Sequence, residues 1–170
     1  MRKVLFIVVG ALAAFSFLPA ASARASSGSI ASFEGQSIDL TRGWGEATAC
    51  AAFADTTTCF RTEAAMRRWL AETRPTTELL SSCSSSVDLY EHGGFGGAVL
   101  GLYAQGAWIN LATYGFNDKT SSYAVGGCDS YFAEHTDGNG NWYPGNTSAW
   151  ASSGVMASGW NDRISSVWIS

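Results

Sequence analysis

The spacing of apolar residues changes along the chain, and each spacing predicts a different kind of element. Behind the basic pair Arg2-Lys3, an apolar run from Val4 to Leu18 leads to the small residues Ala21-Ser22-Ala23. This is the pattern of a secretory signal peptide over residues 1–23, and the run is too short to span a bilayer comfortably. We therefore expect a secreted, extracellular protein with no membrane segment after cleavage.

Residues 24–82 are expected to hold two small elements and a linker. Residues 24 to about 48 are rich in Ser, Gly and Ala, which predicts a poorly ordered leader with a single short strand. Two cysteines frame a predicted hairpin over residues 49–60. From Arg61 to Glu72 the apolar residues fall at helical spacing with Thr62 as the cap, and we expect this apolar stripe to be a packing surface. Pro75 would end the helix, and the serine-rich segment from Thr76 to Ser86 predicts a linker.

From Val87 onward, short runs of β-branched and aromatic residues alternate with Gly, Asn, Asp and Ser clusters. This texture predicts a mostly β domain over residues 83–170, folded as a compact two-sheet sandwich. We expect most tryptophans to lie in the core with the other apolar positions, which are Val87, Leu89, Leu100, Leu102, Trp108, Ile109, Leu111, Tyr131, Trp142, Trp150, Val155, Met156, Val167, Trp168 and Ile169.

The cysteine count predicts disulfides, and the net charge restricts the classes of binding partner. The four cysteines are Cys50, Cys59, Cys83 and Cys128, and an even number in an exported chain predicts two disulfides. Three pairings are possible, and a local bridge between Cys50 and Cys59 would leave Cys83 with Cys128. Removal of residues 1–23 takes away two basic residues and no acidic one, so the formal net charge moves from −4 to −6. An acidic protein of this kind is a poor partner for nucleic acid or anionic membranes and a fair one for a divalent cation.

One eight-residue string occurs twice. Residues 115–122 and 159–166 both read Gly, aromatic, Asn, Asp, basic, β-branched, Ser, Ser, which indicates a duplicated structural unit. Upstream of the first copy, the stretch from Leu89 to Gly97 predicts a folded hairpin with glycines at its turn. Upstream of the second copy we expect a looser version, in which an insertion from Thr136 to Asn141 separates Glu134-His135 from the rest.

These strings and hairpins resemble the βγ-crystallin domain, two Greek-key motifs of about forty residues each that pair into a sandwich. The resemblance covers residues from about 83 to 170, and the microbial calcium-binding members look most similar. Secreted metalloproteinase inhibitors of the I36 type are also similar, through the segments LYEH, FGG and GFNDKTSS. A small killer-toxin-like group shares the sandwich, and no string singles it out.

The resemblance implies up to two Ca²⁺ ions, each bound by ligands from both motifs. Ca²⁺ takes six to eight oxygen ligands, which this string offers at short range. The resemblance implies side-chain oxygens from Asp118 and Asp162, hydroxyls from Ser121 and Ser165, and main-chain carbonyls from Lys119 and Arg163 with their own charges outward. Its other implied ligands are the amides of Asn117 and Asn161, with Glu91 and Glu134 completing the opposite sites. Ser122 and Ser166 are implied to be structural, and the insertion puts the Glu134 ligand in question.

Two functions follow from these expectations. The first is a secreted, non-enzymatic calcium-binding βγ-crystallin-like protein. The alternative is an inhibitor of a secreted metalloproteinase, with residues 136–141 as the exposed loop. A hydrolase is a distant third possibility, because the sequence has no nucleophile-elbow string and no His-Glu-x-x-His motif.

Overall fold

The computed structural model describes residues 29–73 and 87–170. Its strands are β1 Ile30–Phe33, β2 Gln36–Asp39, β3 Ala49–Ala52, β4 Thr57–Phe60, β5 Val87–His92, β6 Gly96–Leu102, β7 Ile109–Asn110, β8 Ser122–Val125, β9 Ser130–Ala133, β10 Ser152–Ser153 and β11 Ser166–Ile169. Helix α1 spans Glu63–Thr73, and short 3-10 helices span Leu40–Arg42, Leu111–Tyr114 and Thr136–Gly138. In these two ranges, no helix is both long enough and apolar enough to cross a membrane. The predicted signal peptide and the predicted linker lie outside the described residues.

The strands form two sheets that exchange strands between two Greek-key motifs. The larger sheet has the order β10-β8-β5-β6-β3-β4-β1-β2, and the smaller one has the order β7-β11-β9. The first motif, β5 to β8, sends β7 to the small sheet, where it pairs with β11. The second motif, β9 to β11, sends β10 to the large sheet, where it pairs with β8. The predicted mostly β sandwich of two Greek-key motifs is therefore confirmed.

The core lies between the two sheets and contains the side chains that face inward from both motifs. Fully buried members include Leu89 and Leu100 of the large sheet and Val167 and Ile169 of the small one. Tyr123 packs edge-on against Phe132 across the interior, with ring centroids 5.1 Å apart. Alternation along the strands produced this arrangement, because successive side chains of a strand point to opposite faces.

The expected poorly ordered leader is wrong over its described part, where residues 29–42 form a hairpin and a 3-10 helix. Strands β1 and β2 are antiparallel, with β2 at the edge of the large sheet, and β1 also pairs in parallel with β4. Their turn places Glu34 at φ 50° and Gly35 at φ 79°. Two consecutive left-handed residues suit the twist of a tight hairpin, but Glu rarely takes the first place. Because Glu is unusual at this position, the sequence pattern did not predict the turn.

The cysteine-framed hairpin is confirmed. Strands β3 and β4 are antiparallel, Cys50 lies opposite Cys59, and the two residues form a disulfide. The other edge of β3 joins the strands of the sandwich, because β3 pairs in parallel with β6 and sets Cys50 opposite Leu100. The remaining pairing, Cys83 with Cys128, stays a prediction because Cys83 lies outside the described residues.

Helix α1 is also confirmed, and its apolar stripe is a packing surface. The Thr62 hydroxyl accepts a hydrogen bond from the Ala65 amide at 3.2 Å, which is the expected N-terminal cap. Met66 and Leu70 are buried against Tyr90 and Val99, which point outward from the large sheet. The helix therefore covers the outer face of that sheet.

A polar cluster fixes the helix to the sheet beneath it. Arg67 donates to the buried Asp88 at 2.7 Å and to Glu63 at 2.9 Å, while the Tyr90 hydroxyl donates to Glu63 at 3.1 Å. Burial, together with the nearby charges of Asp88 and Glu63, raises the pKa of Tyr90 to about 12. The pKa of Arg67 is also raised, against the effect of its burial, by Asp88 and Glu63.

The expected core role of the tryptophans is wrong for two of them. Trp142 is 56% exposed and Trp150 is 74% exposed, and Val155 is exposed as well. Trp142 pairs with Ala133 of β9 through a single antiparallel bridge. The second strand of the second motif is therefore too short to bury the Trp142 side chain in the core. We expected these residues to be buried because their apolar side chains fit a strand pattern, but residues 142–155 are mostly loop.

Candidate metal centre

The two folded hairpins have the same geometry, so the insertion expected at 136–141 is absent. In both hairpins a Glu-His pair is followed by a turn that returns to a glycine five residues after the His, at Gly97 and Gly140. Both glycines have positive φ, and a Cβ on either would press on the His ring of its own hairpin. Asp137 (φ 56°) takes the left-handed place that Gly94 (φ 70°) has in the first hairpin. Asp tolerates that conformation better than most residues, and this substitution made the second turn look irregular in sequence.

Ser122 and Ser166 close these hairpins as expected. The Ser122 hydroxyl donates to the His92 carbonyl at 2.6 Å and accepts from the Phe95 amide at 3.0 Å. The Ser166 hydroxyl donates to the His135 carbonyl at 2.6 Å and accepts from the Gly138 amide at 3.0 Å. The last serine of each repeated string thus ties its own strand to the turn of its own motif.

The two Asn-Asp strings lie side by side and share backbone hydrogen bonds. The Asp118 amide donates to the Ile164 carbonyl at 3.1 Å, and the Asp162 amide donates to the Thr120 carbonyl at 3.0 Å. Both aspartates have φ 54°, so each begins a sharp turn that aims its carboxylate at the other motif. The amides of Asn117 and Asn161 each donate to the next aspartate at 2.7 Å and hold one carboxylate oxygen.

The second oxygen of each carboxylate meets a serine of the opposite motif. Ser121 Oγ lies 3.2 Å from Asp162 Oδ1, and Ser165 Oγ lies 3.3 Å from Asp118 Oδ1. Both serines are buried, whereas both aspartates are exposed. Each pair therefore combines a fixed hydroxyl with a carboxylate that solvent ions can reach.

The two glutamates of the predicted site are in different environments. The Glu91 carbonyl accepts from Ser121 Oγ at 2.8 Å, so this main-chain oxygen of the first motif lies beside the Ser121–Asp162 pair. The Glu91 carboxylate accepts from the Ala98 amide at 3.3 Å. The Glu134 carboxylate instead forms an ion pair with Arg163 and accepts from the Asn141 side chain at 2.8 Å.

The hydrogen bond from Arg163, and then those from Asn141, lower the pKa of Glu134 to about 2. The resemblance implied that the charge of Arg163 points outward; its guanidinium is partly exposed and is held by Glu134 of the second hairpin. It also lies 5.5 Å from the ring centroid of Trp160. The Lys119 ammonium, its counterpart in the first string, has no such partner among the described residues.

The donor set of this edge suits a hard cation. Within residues 29–73 and 87–170, no group of three or more His, Cys, Asp or Glu side chains comes together. The oxygens that do meet are carboxylate, hydroxyl and carbonyl, which is the mixture that Ca²⁺ takes. The Ser121–Asp162 pair with the Glu91 carbonyl is the fuller of the two sets.

The N-terminal segment supports the first string through a contact that the sequence analysis did not predict. Trp44 stacks on Phe116 with centroids 5.5 Å apart, and its indole N–H donates to the Tyr114 carbonyl at 2.7 Å. Gly115 lies so close to Leu40 that a Cβ there would collide with the Leu40 carbonyl. A glycine directly before the aromatic of each string was the available signal, but only the contact explains the first one.

Comparisons with solved structures find βγ-crystallin domains. A structure concerned with the evolution of the eye-lens βγ-crystallin domain fold is 23% identical, covers 52% of this chain and 87% of its own, and has a TM-score of 0.45. A βγ-crystallin from Ciona intestinalis is 25% identical over 50% of this chain and 99% of its own, with a TM-score of 0.43. A βγ-crystallin domain from Clostridium beijerinckii is 24% identical over 49% of this chain and 95% of its own, with a TM-score of 0.39. No family model and no curated protein matches this chain.

The fold follows from the strands themselves. Two Greek-key motifs exchange their third strands, each closes its first hairpin with the last serine of its string, and the two Asn-Asp loops meet at one edge. The second half of this chain therefore has a βγ-crystallin-like fold.

Proposed function

We propose that this protein is a secreted, non-enzymatic calcium-binding module of the βγ-crystallin-like type. The observation that carries the proposal is the reciprocal contact of Ser121 with Asp162 and of Ser165 with Asp118, at 3.2 and 3.3 Å. A carboxylate and a hydroxyl from opposite motifs gain little from each other alone, because a single exposed hydrogen bond contributes about 0.5–1.5 kcal/mol. An ion between the motifs would use both.

Each ion would contribute modestly to stability. With dissociation constants of about 0.1–1 mM, typical of extracellular modules, about 1 mM Ca²⁺ would add roughly 0.4–1.4 kcal/mol per site. The described residues already form a closed core and a full set of hairpin hydrogen bonds. We therefore expect the calcium-free protein to be folded and the calcium-bound protein to melt at a higher temperature.

The backbone conformation at the two aspartates determines which substitution is a suitable test of this proposal. Asp118 and Asp162 both have φ 54°, where Ala is strained and Asn is tolerated. The double variant Asp118→Asn, Asp162→Asn removes both charges with little change in shape. Asp55→Asn is the matched control, because Asp55 is exposed on the β3–β4 turn, outside the site.

The measurement is calorimetric titration with Ca²⁺, together with melting curves at increasing Ca²⁺ concentration. The parent protein and Asp55→Asn should bind Ca²⁺ and gain stability alike, and the double variant should do neither. Each single variant should lose one of two ions. An equal rise in melting temperature for the parent and the double variant would show that calcium binds elsewhere.

Inhibition of a metalloproteinase stays a prediction. The loop assigned to it, residues 136–141, is the tight turn of the second hairpin, with Gly138 bound to Ser166. No contact in the described residues favours that loop as a presented reactive segment over its structural role.

A further inference from the structure

A cleft of about 460 Å³ lies between the N-terminal segment and the first motif. Its lining includes Trp44 and Thr48 from the N-terminal segment and Glu91, Gly97, Phe116 and Lys119 from the first motif. The volume is in the range of pockets that hold small molecules. A sandwich of two motifs alone would not have this cleft, because the wall at Trp44 and Thr48 comes from the additional N-terminal segment.

The aromatic wall of the cleft is rigid. The stacking of Trp44 on Phe116 and its hydrogen bond to the Tyr114 carbonyl fix both the position and the tilt of the indole. Phe116 is itself almost fully buried, so the pair rests on the core. Gly97, which also lines the cleft, has φ 74°, and a Cβ there would collide with the His92 ring.

The charged groups in the lining of the cleft are the Glu91 carboxylate and the Lys119 ammonium, which do not form an ion pair with each other. Among the described residues, Lys119 has no hydrogen bond and no ion pair, and the Glu91 carboxylate accepts only the Ala98 amide at 3.3 Å. The Thr48 hydroxyl is already used, since it donates to the Arg61 carbonyl at 2.7 Å. A ligand therefore meets one carboxylate, one ammonium and an indole.

We propose that this cleft binds a small zwitterion with an apolar side chain, in the manner of a free α-amino acid. Its ammonium pairs with Glu91, its carboxylate pairs with Lys119, and its side chain lies on Trp44. An anion alone would be repelled by Glu91 and a cation alone by Lys119, so only a ligand with both charges uses the whole lining. Charge-assisted hydrogen bonds of this kind are the strong ones in a partly enclosed site.

The test uses the mature chain and leucine as the probe, followed by amide chemical shifts in two-dimensional NMR. Leucine should shift the amides of Thr48, Gly97 and Lys119, and it should do so at millimolar concentration. N-acetylleucine lacks the ammonium and leucinamide lacks the carboxylate. Each should bind at least about tenfold more weakly, the loss expected for one charged hydrogen bond.

Two variants test the protein side of the same contacts. Lys119→Met and Glu91→Gln keep their main-chain carbonyls and should each weaken leucine binding at least about tenfold. Arg42→Met is the matched control, because Arg42 is an exposed cation outside the cleft and should bind leucine like the parent. The same spectra report whether each variant is folded, and the two analogues test the charges in the unaltered protein.

Three results would overturn the proposal. The first is the absence of any shift with 20 mM leucine, taken as roughly the weakest binding that such a site should give. The second is equal binding of leucine and its two analogues. The third is unchanged leucine binding in folded Lys119→Met and Glu91→Gln.

Discussion

Thr120 holds a buried hydroxyl that the fold does not use. Its side chain is fully buried, and its Oγ1 atom has no hydrogen-bond partner among the described residues. The equivalent position in the second string is Ile164, which is also fully buried. The two backbones are matched as well, because each residue's carbonyl accepts from the aspartate amide of the opposite string. The position therefore selects for an apolar β-branched side chain, and Thr120 satisfies only its shape.

Thr120→Val should stabilise the protein. The substitution keeps the branched shape and removes a hydroxyl whose burial without a partner costs about 1–3 kcal/mol. In a chain of this size, each kcal/mol raises the melting temperature by about 2–4 °C. Denaturant unfolding followed by tryptophan fluorescence should show a higher midpoint with an unchanged slope.

Ile164→Val is the matched control, because it places the same residue, Val, at the equivalent buried position of the second string. It removes one methyl(ene) group from the same kind of packed environment and should cost about 0.5–1.5 kcal/mol. Opposite signs for the two variants support the reasoning. A Thr120→Val protein that is less stable than the parent, or no more stable, refutes it, since the hydroxyl must then have a partner.

Two further predictions concern charged contacts. Arg67→Met leaves Asp88 buried without its ion-pair partner and should cost about 2–3 kcal/mol, less than the ~3–5 kcal/mol for a fully buried pair because Arg67 is partly exposed; equal denaturation midpoints for variant and parent would contradict this. Because the pKa of Glu134 falls from 4.5 to about 2 on folding, its contribution to stability should be complete above pH 4.5 and lost as the pH falls through 2. Arg163→Gln should return that pKa toward its usual value in an NMR titration, and an unchanged pKa would assign the effect to Asn141 alone.

The sequence predicted those parts of the fold whose signals are local or repeated. The doubled Asn-Asp string indicated two equivalent motifs, and the helical spacing with Thr62 indicated α1, its cap and its packing role. The cysteine-framed hairpin could likewise be predicted, because its two strands are neighbours in the chain.

The parts that the sequence did not predict depend on unusual backbone choices or on distant contacts. Glu34 and Asp137 occupy left-handed turn positions where glycine or asparagine is expected, so one hairpin was missed and another looked interrupted. Trp44 and Phe116 are far apart in sequence, and no spacing rule connects them. At the metal centre, the string indicated the reciprocal serines and aspartates, but it did not indicate that Arg163 would hold the Glu134 carboxylate.

The parallel pairing of β3 with β6 also sets an order for folding. The β3–β4 hairpin, with its disulfide, closes within a few residues, whereas β3 meets β6 across the long stretch of chain between Ala49 and Val99. Loop closure over that distance delays the step. During synthesis, β3 and α1 are complete before β6 exists, so the parts of Met66 and Leu70 that Tyr90 and Val99 cover stay exposed until the first motif is made. A segment made before the strand that covers it is thus sheltered late, and this interval exposes its apolar residues to aggregation and proteolysis.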